Sequence, residues 1–114
     1  MNQTEANLAM RLISENFYPK YMCSIVSWML IYIHRATGGK ARFVALTREN
    51  GQGHSICELK FSSKWVMYDV AYNFTTGYSA EQMHQRPSLL EGHPIYKMHL
   101  DEFKELFSNR RYVE

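Results

Sequence analysis

Three side chains in this sequence have types and spacing that suit chemistry: Cys23, His54 and Asp69. Cys23 opens the run "CSIVSWMLIYI", which reads as a helix, and a cysteine at a helix N-terminus meets unpaired backbone N–H groups and the positive end of the dipole. His54 and Asp69 lie fifteen residues apart in "HSICELKFSSKWVMYD", which reads as a hairpin. If that hairpin turns midway between Phe61 and Ser62, residues whose numbers sum to 123 face one another. His54 then opposes Asp69, Ile56 opposes Met67, and Glu58 opposes Trp65. A one-residue slip would send Asp69 to the other face. Beside an imidazolium and a helix N-terminus, a thiol titrates at roughly 3.5–7.5 instead of about 8.5 and is a nucleophile at neutral pH.

Each residue also has an ordinary reading. Cysteine is among the most buried residue types, so Cys23 could be inert core. A histidine after Gly53 in a turn can be idle, and an aspartate can cap a strand end. Order and hairpin register together favour a site.

The elements that must position these groups are legible around them. Thr4 is the expected cap of a first helix through Phe17, with Leu8, Leu12 and Ile13 as its apolar stripe. Pro19 ends it by disfavouring helical geometry at Tyr18. The second helix runs from Cys23 to Ala36. Its apolar residues cover almost the whole circumference, which predicts burial on most sides. His34 and Arg35 suit its C-terminus, and Gly38-Gly39 stops it.

Three strands follow, "ARFVALTR", "HSICELK" and "KWVMYDV", the first two joined by a turn at Asn50-Gly51. Ser79 and Gln82 form a capping box for a short helix before Pro87. "PIYKMHL" reads as a fourth strand, and Phe103, Leu106 and Phe107 as the inner face of a last helix. The expected architecture is α+β, with the cysteine-bearing helix packed on an antiparallel sheet of about four strands.

With 114 residues the chain is read as one domain, residues 1–114. Apolar residues at 46% and charged residues at 21% are ordinary for a folded protein. The net charge of +2 is scattered, and Arg110–Arg111 reads as a solvated helix end, so no nucleic-acid partner is expected. The one dense apolar run, Ile25 to Ile33, is far short of the ~20 residues that span a membrane. No export signal is evident and the cysteines read as free thiols, which together predict a cytoplasmic protein.

His54 and Cys57 should point to opposite faces of their strand, so no shared metal site is expected, and nothing signals a cofactor. Cys57 reads as core, Arg42 as a brace for a carboxylate, and Tyr68, Tyr72 and Tyr78 as packing residues. His84, His93 and His99 read as surface residues.

The run from Gly39 to Asp69, with Cys23 ahead of it, resembles the core of the transglutaminase-like superfamily of papain-fold cysteine enzymes. The family order is a cysteine opening a helix, an "ARYV"-type strand, a histidine with a glutamate four residues on, then a tryptophan and an aspartate. Here those are Cys23, "GGKARFV", His54 with Glu58, Trp65 and Asp69. Ile56 stands where many members carry a channel tryptophan, Val70 stands where proline usually follows the aspartate, and no glycine precedes Cys23.

The resemblance covers residues 20–73 and implies a papain-like α+β fold. It implies Cys23 as nucleophile, His54 as general base and acid, and Asp69 as the residue that orients His54. Tyr21, Ile56 and Glu58 are the expected substrate contacts. The implied activity is acyl transfer on a protein or peptide substrate through a thioester, with peptidase or amidase favoured over cross-linking. A non-catalytic module that keeps the scaffold to bind a peptide is the alternative.

Overall fold

The chain alternates local signals that each stop one element and start the next. In a computed structural model, which describes residues 1–114, Asn2 caps the first helix, α1 (Gln3–Phe17), in a capping box with Glu5. The cap is therefore two residues earlier than the expected Thr4, because Asn2 and Glu5 satisfy two of the first-turn N–H donors reciprocally. Tyr18 is extended ahead of Pro19, and α2 (Cys23–Ala36) follows.

The antiparallel sheet has five strands in the order β4-β3-β2-β1-β5: β1 (Lys40–Thr47), β2 (Gly53–Phe61), β3 (Lys64–Asp69), β4 (Phe74–Thr75) and β5 (Arg110–Val113). Helices α3 (Ala80–Gln85), α4 (Pro94–Met98) and α5 (Leu100–Ser108), with a 3₁₀ turn over Pro87–Gly92, complete the fold. Ser79 and Gln82 form the expected capping box of α3.

Strand alternation puts two apolar sets on opposite faces of the sheet. Cys57, Leu59, Val66 and Tyr68 join Ala6, Met10, Val26, Leu30 and Ile31 of α1 and α2. Val44, Ile56 and Met67 join Met83, Tyr96, Phe103 and Phe107 from the helices after the sheet. The sheet is thus a middle layer between two helical layers.

Three further expectations change. "PIYKMHL" is helical rather than a strand: Pro94 occupies the first turn of α4, where its missing N–H costs nothing, and the His93 ring accepts from the Ile95 N–H at 3.2 Å. Arg110 and Arg111 lie in an edge strand paired with β1, not at a solvated helix end. Helix α2 is not buried on most sides, since Ile25, Tyr32 and Ile33 remain exposed. Its main neighbours are α1 on one flank and β1 and β2 on the other. No helix is long and apolar enough to cross a membrane.

Candidate active site

The β2–β3 turn is the pair Ser62-Ser63, with Ser62 at φ 56°, and the ladder pairs Phe61 with Lys64 and Cys57 with Tyr68. Facing residues therefore sum to 125, not 123. Glu58 opposes Met67, and Lys60 opposes Trp65. Because the difference is two, every side chain keeps its expected face. His54 and Asp69 become diagonal rather than direct neighbours, a span that long side chains bridge. The bridge is made: His54 Nε2 lies 2.7 Å from Asp69 Oδ2.

Asp69 is fully buried, and three donors satisfy it. The Tyr72 N–H donates to Oδ1 at 3.1 Å, while the Tyr96 hydroxyl donates to the same Oδ2 that holds His54. Tyr96 is fully buried, so its hydroxyl needs that acceptor. Burial, then the Asp69 charge, pushes the Tyr96 phenol well above its ordinary range and keeps it a donor. The Tyr72 ring stacks on His54 with centroids 5.0 Å apart and planes 15° apart, and Phe103 meets the imidazole edge-on at 6.0 Å. The ring is held on both sides and at one nitrogen.

Cys23 arrives from the other helical layer. The β2–β3 ladder ends at Cys57–Tyr68, so beyond it the first residues of β2 are free of β3. The start of α2 meets the sheet there. Ser27, fully buried, spans the junction: its hydroxyl lies 2.7 Å from the Cys23 carbonyl oxygen and 3.3 Å from that of Ser55.

The thiol, half-buried, sits beside His54 and Ser55. Hydrogen bonding to His54 lowers its pKa, burial opposes this, and the His54 charge and Ser55 lower it further. Burial works against charge on His54, but the Asp69 charge and hydrogen bond, with Cys23 on the other side, outweigh it. His54 is raised from 6.5 to about 10. The lowered thiol and the raised imidazole both shift the pair toward thiolate and imidazolium.

Met22 leaves α2 without a side-chain cap, and the Met22 carbonyl accepts from Ile25 and Val26. No protein group accepts from the Cys23 or Ser24 N–H. Both remain available to an oxyanion formed at the Cys23 sulfur.

The expected substrate contacts fare differently. Glu58 is fully buried and faces inward to protein: Arg42 Nε and Nη2 each reach Oε1 at 2.8 Å, and the Ala80 N–H donates to Oε2 at 2.7 Å. Ile56 is fully buried in the second apolar set. Neither can touch a substrate, because strand alternation turns both under the helices that follow the sheet. Tyr21 is exposed beside Phe17, with ring centroids 6.0 Å apart.

Arg42 braces a carboxylate as expected, and Cys57 is core, with its thiol pushed up by burial and by the nearby Asp69 and Glu58 charges. His84 and His99 are exposed, whereas His93 is half-buried, 6.0 Å from the Tyr72 ring.

Tyr96 was invisible as a site residue from the sequence, since its segment reads as a strand. The only local hint was His93-Pro94, a cap followed by a first-turn proline.

No protein-family model, curated protein or solved structure matches this chain. The arrangement stands on its own geometry: a buried carboxylate, an oriented imidazole and a half-buried thiol at a helix N-terminus. It can generate a nucleophile, stabilise an oxyanion and return a proton to a leaving group.

Proposed function

We propose that this chain is a transglutaminase-like cysteine enzyme with a papain-like fold, acting on amide or peptide bonds through Cys23, His54 and Asp69. The observation that most supports it is the 2.7 Å His54–Asp69 hydrogen bond beside a thiol whose pKa is lowered at a helix N-terminus. In this scheme the Cys23 thiolate attacks the carbonyl carbon, forming a C–S bond and an oxyanion facing the Cys23 and Ser24 N–H groups. The His54 imidazolium passes its proton to the leaving nitrogen as the C–N bond breaks. Water then attacks the thioester while neutral His54 takes its proton, and the acid departs as thiolate and imidazolium reform.

Hydrolysis is preferred over cross-linking because Ile56 stands where the family's channel tryptophan would be. Two free thiols fit a reducing compartment such as the cytoplasm.

The test is the pH dependence of iodoacetamide alkylation at each cysteine, read by peptide mass spectrometry, in wild type and His54→Ala. The expected result is rapid labelling of Cys23 well below pH 8, lost in the variant, with buried Cys57 unlabelled. Labelling of Cys23 like an ordinary thiol would remove the triad and leave a peptide-binding scaffold as the better account.

A further inference from the structure

A cavity of about 260 Å³ opens on one side of His54. Arg48 and Gln52, from the turn between β1 and β2, form part of its wall, with Tyr72 beside them and Glu102 and Phe103 of α5 opposite. In acyl transfer the general acid stands beside the leaving nitrogen. This cavity is walled by His54 and not by Cys23, which is the side on which a leaving group rather than the acyl group would lie. This step rests on the function proposed above.

Arg48 is under-used by the protein. Its Nε is fully buried and has no hydrogen-bond partner. The nearest carboxylate oxygens are Glu105 Oε2, 3.5 Å from Nε, and Glu102 Oε2, 3.9 Å from Nη1. Both acids are drawn elsewhere: Glu105 Oε2 accepts from the Glu49 N–H at 3.0 Å, and Glu102 lies 3.7 Å from His99 Nδ1. Only Gln52, at 2.5 Å from Nη1, takes a well-formed hydrogen bond. A guanidinium is a planar fork of five donors shaped for a carboxylate, and the Arg48 side chain, 22% exposed, keeps donors unfilled beyond the single bond to Gln52. Arg48, His54 and Glu102 are the charged groups lining the cavity. Asp69 already pairs with His54, which leaves Arg48 as the cation there that is free to turn toward a ligand.

We propose that this cavity is the leaving-group subsite and that Arg48 receives a carboxylate borne by the leaving amine, either a peptide C-terminus or an acidic side chain. The enzyme then selects amides whose amine half is anionic.

Three haloacetyl probes test this, each reacting with Cys23 by displacement of iodide: N-iodoacetylglycine, N-iodoacetylglycinamide and N-iodoacetylaspartic α-amide. Rates are divided by those with free N-acetylcysteine. One or both anionic probes should exceed the neutral one by about tenfold, the scale of a charge-assisted hydrogen bond. Preference for the glycine probe indicates a C-terminal carboxylate, and preference for the aspartic probe an acidic side chain.

Arg48→Gln should abolish the preference, Arg48→Lys should restore part of it, and exposed Arg86→Gln should leave it as in wild type. Equal corrected rates for all three probes, or a preference untouched in Arg48→Gln and Arg48→Lys, overturn the proposal. Iodoacetamide keeps the two readings apart. An ordinary thiol profile defeats the triad itself, whereas an activated thiol without charge preference defeats only the role of Arg48.

Discussion

The Tyr96 hydroxyl and His54 Nε2 converge on one oxygen of Asp69. This junction ties the last helical layer to the middle of the candidate site. Tyr96→Phe removes one donor from a buried carboxylate and nothing else. Hydrogen bonds to charged groups contribute about 1.5–3 kcal/mol, so the variant should lose roughly that much stability in urea unfolding. With less of its charge engaged by Tyr96, Asp69 should hold the imidazolium more firmly, and the His54 NMR titration should move up. Unchanged stability would mean that the hydroxyl has no such bond.

Asp69→Asn removes the charge that outweighs burial at His54. The His54 pKa should fall toward its ordinary 6.5. Cys23 then loses the imidazolium that lowers it, and its alkylation profile should move to higher pH. At a fixed pH below the thiol pKa, the rate should drop about tenfold for every pH unit the profile moves, because the thiolate fraction drops by that factor. Alkylation at pH 6 compared with wild type reads this directly, and an unmoved profile would show that Asp69 does not act through His54.

The sign of the pH dependence of stability follows from His54. Its folded pKa is raised, so its contribution is fully present below about 6.5 and is lost as pH rises toward about 10. Cys23, lowered, contributes in the opposite sense: its stabilisation is lost as pH falls. Cys23→Ala isolates the histidine. Urea midpoints of that variant should decline from pH 7 to pH 9, and the decline should flatten when His54→Gln is added. A midpoint that rises over that interval in Cys23→Ala would contradict the His54–Asp69 pairing.

Arg42 is held between the Trp65 and Tyr112 rings, 4.1 and 4.0 Å from their centroids, while its fork holds buried Glu58. Arg42→Ala leaves that carboxylate with the Ala80 N–H alone. Breaking a buried pair from one side costs about 3–5 kcal/mol, so a large fall in thermal stability is expected. Adding Glu58→Gln should recover part of it, because a neutral amide still accepts from Ala80 without a buried charge. No recovery would show that the ring packing of Arg42, rather than its charge, matters most.

What the sequence alone determined is local. The start of α2 at Cys23, the turn after β1, the capping box at Ser79 and the inner face of α5 all follow from contacts within a few residues, where propensity and periodicity act directly. The faces of β2 and β3 were legible too, because side-chain alternation survives a register error of two.

Tertiary structure decided the rest. The register was set by the Ser62-Ser63 turn, and Asn2 took the cap expected of Thr4. Helix α4 brought Tyr96 to Asp69 from 27 residues away. The charge state of His54 is likewise not a property of its neighbours in sequence. It arises because packing removes water from the imidazole and leaves Asp69 and Cys23 as the charges it meets, and Coulomb interactions strengthen as the dielectric around them falls.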